Sequence, residues 1–165
     1  MASEELIHPD RISNKPQVFE GKIALSDMPR LAESLANDDC ELRYKVTAGL
    51  DPHRRKVVSC IIEGFVFLTC QSTLEAFRHG ISIDDRLVLV DDESGLPPIE
   101  EESDAEDYLV ADEPIFVLDL VEDAVLLALP MVPRKPGLEE VTKAEPATPA
   151  KESPFAALAS LKKPK

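Results

Sequence analysis

Residues Pro114 to Lys135 read PIFVLDLVEDAVLLALPMVPRK, and no other stretch limits the fold as tightly. Ile115 to Leu118 is a short apolar run suited to a buried strand. Asp119 with Glu122 three residues on has the arrangement of a capping box, so a helix is expected to start at Asp119. Val121, Ala124, Val125 and Ala128 recur at spacings of three and four on one face, and Leu120, Leu126 and Leu127 widen that face until little polar surface is left. Glu122 and Asp123 are the exceptions. In the first turn of a helix the dipole favours an acid by about 0.3–1 kcal/mol, so helix initiation is the plainer role for this pair and partner binding the sharper one. Pro130 and Pro133 forbid continuation beyond Leu129. Burying about five of these aliphatic side chains at roughly 1.5–3 kcal/mol apiece makes the helix the main anchor of the fold.

The chain before it reads mostly as strands. Gln17 to Leu25 alternates Phe19, Gly21, Ile23 and Leu25 against more polar neighbours, the period of a strand. Ser26 or Asp27 then caps a short helix with Pro29 in its first turn and Met28, Leu31, Ala32 and Leu35 as its apolar face, broken at Asn37 to Asp39. Cys40 to Ala48 alternates cleanly, Gly49 to Arg55 supplies a turn, and Lys56 to Thr69 is a long, nearly continuous apolar strand, so the pair reads as an antiparallel hairpin. Gly64 within it suggests a bulge or a bend. Phe77 to Val90 gives one or two extended pieces with a turn expected at His79-Gly80, and Tyr108 to Ala111 returns to strand character. The hairpin turn holds His53, Arg54, Arg55 and Lys56, a dense basic cluster. It is either a solvated turn or a tip that contacts phosphate.

Charge bounds the function. The net charge of −14 argues against a broad basic surface for nucleic acid. Residues 91–107, however, carry nine acids and no base, whereas residues 134–165 carry seven bases against four acids, so a local RNA contact stays open. The acidic run has the composition of a mobile loop inserted between two strands. No apolar run approaches the roughly eighteen residues of a membrane span and the N-terminus lacks the regions of a signal peptide, which points to a soluble cytoplasmic protein with no membrane partner. Cys40, Cys60 and Cys70 are odd in number and widely spaced, fitting reduced thiols better than disulfides or a zinc site. There is no Ser-His-Asp spacing, glycine-rich phosphate loop or metal-ligand cluster, so neither catalytic residues nor a cofactor are expected.

After Pro133 the composition shifts to Pro, Glu, Lys and Ala through Glu152, a linker without a core of its own. The end, SPFAALASLKKPK, differs. Ser153 and Pro154 suit a helix start, Phe155, Leu158 and Leu161 fall on one side, and Lys162 and Lys163 follow. Such a short helix is marginal alone, so it docks on a partner, docks on its own domain, or stays largely unfolded.

Two stretches, LDLVEDAVLLALPMVP at 118–133 and SPFAALASLKK at 153–163, occur in this order with the Pro-rich linker between them, and together they resemble the bacterial YceD family, the large ribosomal RNA subunit accumulation proteins. Residues 15–135 correspond roughly to the family's domain. The family's usual Cys-x-x-Cys is incomplete: Cys70 holds the first position, but Thr73 stands at the second, Ser72 lies between them, and Lys135 replaces a frequent His. Zinc or redox chemistry needs paired thiolates, so neither is expected. The resemblance implies a non-enzymatic cytoplasmic factor in the synthesis, processing or stability of 23S ribosomal RNA, with that RNA or a pre-ribosomal protein as partner. The alternative is a protein-only adaptor that holds a basic ribosomal protein or nuclease through the acidic loop.

The expected architecture is α+β: a mostly antiparallel sheet, with barrel-like closure as one form open to it, two short helices and a flexible C-terminal tail. A loose arm is expected over 1–16, the domain over 17–133 with the acidic loop at 91–107, the linker over 134–152 and a short amphipathic basic tail over 153–165. Candidate RNA or partner contacts are Arg54, Arg55, Lys56, Phe155, Leu158, Leu161, Lys162 and Lys163. Asp119, Glu122 and Asp123 form the structural or partner motif.

Overall fold

The structure, a computed structural model, describes residues 5–98 and 106–137. Five strands form one sheet in the order β2-β3-β4-β5-β6: β2 Gln17–Lys22, β3 Glu41–Leu50, β4 Lys56–Thr69, β5 Ala76–Val90 and β6 Asp107–Val110. The first four pair antiparallel in sequence order, and β6 joins β5 in parallel. Parallel neighbours need a crossover rather than a tight turn, and the acidic stretch after Val90 is that crossover. A second, two-stranded sheet pairs β1 Leu6–Ile7 with β7 Ile115–Phe116. The helices are α1, Pro29–Ser34, and α2, Val117–Ala128.

The α+β class and the antiparallel character are as expected, whereas barrel closure is not found: β2 and β6 remain the two edges of an open sheet. Alternation explains the core. Leu42, Val46 and Ala48 of β3, Val58, Cys60, Ile62, Val66 and Leu68 of β4, and Ile81 and Ile83 of β5 point to one face. Helix α2 packs on that face across β4 and β5, burying Val117, Val121 and Val125. Met28 and Leu31 bring α1 into the same core, and Ile7 of β1 is fully buried, so part of the segment expected as a loose arm is held by β7 and the core.

Three local expectations change. The residues His79 and Gly80 form no turn; they pair with Val66 and Phe65, and β5 runs unbroken through them because fourteen residues of β4 template it. Gly64 marks no bulge, since the register on both sides of β4 is continuous. Its φ is +146°, and a Cβ there would stand 1.9 Å from the Glu41 carbonyl oxygen, so the position needs glycine for backbone freedom and for close approach of β3. Finally, the strand expected over Ile115 to Leu118 stops at Phe116, and α2 begins at Val117 with Phe116 as N-cap and no side-chain cap. Asp119 is the third helical residue, not the cap, and the capping box does not form.

Candidate functional site

The hairpin turn between β3 and β4 is organised by an acid among the bases. Asp51 is 2 % exposed at its side chain, and its Oδ1 accepts the backbone N–H groups of His53 at 2.9 Å and Arg55 at 2.8 Å. Its Oδ2 accepts Arg55 Nε at 2.7 Å and lies 3.4 Å from Arg86 of β5. Arg55 reaches on to Glu106, pairing with both carboxylate oxygens at 3.0 and 3.1 Å, and Arg86 Nε stands 3.1 Å from the same carboxylate without hydrogen-bond alignment. Burial alone would raise the Asp51 carboxyl, but hydrogen bonds from the Arg55 backbone and guanidinium, that cation's charge, and His53 outweigh it and hold the group below the usual aspartate range. This knot ties the turn to the start of β6 and closes the crossover at its far end.

The knot changes what the basic cluster can do. Arg55 is consumed by Asp51 and Glu106, and Lys56 pairs with Asp91 at 2.5 Å at the opening of the crossover. Arg54, exposed and with φ 61°, makes no ion pair among the described residues and remains available to a phosphate. Of three residues predicted together, one is presented outward.

The acidic pair of α2 is likewise a clasp. Glu122 is 3 % exposed; its Oε1 accepts the Leu31 N–H of α1 at 3.0 Å, and its Oε2 accepts Arg30 Nε at 2.9 Å. Asp123 pairs with the other arm of Arg30 at 2.7 Å. An open helix end has donors without intrahelical partners, and α1 has no side-chain cap of its own, so Glu122 supplies that cap from another helix. Glu122 and Asp123 lie beyond the first turn of α2, where the dipole has faded. Asp119 does sit in that turn and is exposed.

Only part of the apolar girth of α2 is buried. Leu120, Ala124 and Leu127 form a second stripe along the helix and, with Leu87 and Leu109 of β5 and β6, line a groove of about 210 Å³. Leu127 is 87 % exposed. Asp85, Asp107 and Asp123 stand at the same groove. Burial, with Asp107 and Asp84 adding like charge, raises the Asp85 carboxyl above the usual range. At the groove's floor, burial and Asp85 push the Cys60 thiol up to about 11.

Phe155, Leu158, Leu161, Lys162 and Lys163 lie outside the described residues. Among the described residues no group of three or more His, Cys, Asp or Glu is placed to hold a metal, and Cys40, Cys60 and Cys70 form no disulfide. No helix there is long and apolar enough to cross a membrane. Sequence reasoning missed Asp51, Arg86, Glu106 and Arg30. Asp51 was open to detection, because an Asp followed by Pro52 at the start of a turn commonly accepts nearby backbone N–H groups. The other three join elements distant in sequence.

A family model described as "Large ribosomal RNA subunit accumulation protein YceD" matches residues 58–162, well over half of the chain. The match begins inside β4, takes in the groove and α2, and ends at Lys162. No solved structure matches the chain.

Proposed function

We propose that this chain, which belongs to the YceD family, is a non-enzymatic factor in the synthesis, processing or stability of 23S ribosomal RNA, acting in the cytoplasm as a binding platform during large-subunit assembly. The family match carries the reading. What supports a passive role is how the ionisable groups of the folded module are used: Asp51, Arg55 and Glu106 join strands, and Glu122 with Arg30 joins helices. Arg54 and the terminal Phe155, Leu158, Leu161, Lys162 and Lys163 are the proposed contacts with pre-ribosomal RNA or a protein bound to it. The test is sucrose-gradient sedimentation of the tagged chain with crosslinking. Co-sedimentation with large-subunit precursors, attached 23S sequence, and weakening of both on removal of residues 153–165 are expected. A chain that stays at the top of the gradient, or purified protein that cleaves or modifies RNA unaided, overturns the reading.

A second reading, a protein-only adaptor for a basic ribosomal protein or nuclease, is favoured by one observation. The chain's own acids neutralise Arg55 and Lys56, while Asp92 and Glu93 stay exposed without an ion pair among the described residues. Association that survives RNase and falls steeply with salt would select it. Association that RNase abolishes would reject it.

A further inference from the structure

We propose that the groove between α2 and the β5–β6 edge receives a basic amphipathic helix from a protein partner, an aliphatic side chain entering between the two walls and flanking lysines or arginines meeting the acidic rim. The groove's walls are Leu120, Ala124 and Leu127 on the helix and Leu87 and Leu109 on the strands. The inner face of the sheet is apolar because it must be covered, yet α2 covers it only on the side of Val117, Val121 and Val125. Leu127, at 87 % exposure, stands as one lip of the uncovered part. A groove of about 210 Å³ is smaller than the roughly 300–1,000 Å³ of a small-molecule pocket, and fits a side-chain anchor better than a metabolite.

Charge decides among macromolecular occupants. Asp85 and Asp107 make no ion pair among the described residues, whereas Asp123 shares Arg30. Two unneutralised carboxylates beside an apolar slot repel phosphate, which disfavours RNA and anionic lipid. They equally disfavour a second copy, which carries the same −14 charge and the same rim. A helix with aliphatic residues at spacings of three and four and cations between them meets both demands, apolar area and opposite charge.

This site stands apart from the ribosomal role, so each can fail alone: the peptide result below leaves the 23S outcome untouched. The probe is a fluorescein-labelled synthetic peptide of about four helical turns, leucine on one face and lysine elsewhere, titrated into the full-length protein by anisotropy. An acidic twin carries glutamate for lysine. The basic peptide should bind and the twin should not. Leu127→Ser should weaken binding about tenfold, the scale of one lost aliphatic anchor. Asp85→Asn with Asp107→Asn should weaken it about tenfold at low salt and flatten its salt dependence. Leu127 is exposed enough that its serine variant should keep the parent's urea midpoint, which separates lost binding from lost folding. Equal binding of the twin, or an unchanged Kd in both variants, overturns the proposal. So does direct binding of labelled single-stranded RNA, in the absence of peptide, that Leu127→Ser weakens. A full-length Phe155→Ser, Leu158→Ser, Leu161→Ser variant, unchanged in net charge, that binds the peptide about tenfold more tightly would assign the groove to the chain's own C-terminal segment and overturn it as well.

Discussion

Replacing Glu122 by alanine should destabilise the protein more than any other change to the acids of α2. The residue is 3 % exposed and its carboxylate is the acceptor for the Leu31 N–H at 3.0 Å. Leaving that buried donor without a partner costs about 1–3 kcal/mol. Removing the buried Cγ methylene adds about 0.8 kcal/mol. Arg30 is half exposed, so water takes over its side of the clasp and nothing is added for it. The total is roughly 2–4 kcal/mol, which at a urea slope of about 2 kcal/mol/M lowers the midpoint by about 1–2 M. Glu122→Gln keeps an oxygen for Leu31 and should cost less than half as much. Asp119→Ala, at an exposed first-turn position, forfeits only a dipole interaction of about 0.3–1 kcal/mol. Urea unfolding followed by circular dichroism reads all three. A capping box at the start of α2 predicts the reverse order, with Asp119→Ala the costlier change; that order would refute the inter-helix clasp.

Other consequences are open to similar tests. Gly64→Ala should cost about 3 kcal/mol or more in urea unfolding because of its φ of +146° and the Glu41 carbonyl 1.9 Å from the new Cβ, whereas Gly80→Ala, with open space around it, should be neutral or slightly stabilising; equal costs would contradict the close approach. Asp51 has a folded pKa below its unfolded value, so it contributes stability that is fully present above the ordinary aspartate value of about 3.9 and lost as pH falls through the lower folded value. Asp51→Asn should therefore flatten the acid limb of the stability profile, and an unchanged limb would count against the knot. Asp85 has the opposite sign: its raised folded pKa makes the ionised form a liability at neutral pH, so Asp85→Asn should raise the neutral urea midpoint, and a fall would be contrary to the account. At pH 8, iodoacetamide followed by mass spectrometry should label half-buried Cys40 ahead of Cys60, whose thiol is buried and titrates only near 11; the reverse order would be a failure.

What the sequence revealed of the fold follows how local each signal is. The limits of β4 at Lys56 and Thr69 match the apolar run, because continuous apolar character flanked by turn residues is a local property. Pro29 at the start of α1 was legible for the same reason, its fixed φ and missing N–H suiting only a first turn. His79-Gly80 misled because a turn-prone dipeptide has no preference strong enough to break fourteen cross-strand pairs. The four residues of β6 carry no mark of direction, so the parallel pairing that makes the acidic stretch a crossover could not be read. In the site, the capping-box pattern was correctly spaced and wrongly partnered. Glu122 bonds to Arg30, ninety-two residues earlier, and no spacing rule spans that distance. Likewise the bases of the hairpin turn looked available because Glu106 lies fifty-one residues beyond Arg55.

The ratio of mature 23S to 16S ribosomal RNA, measured in cells from which the gene has been removed and then resupplied, tests the central claim most directly. A fall in that ratio on removal, restored by the intact chain, is the predicted result. A ratio that stays level through removal and resupply under every growth condition would contradict it.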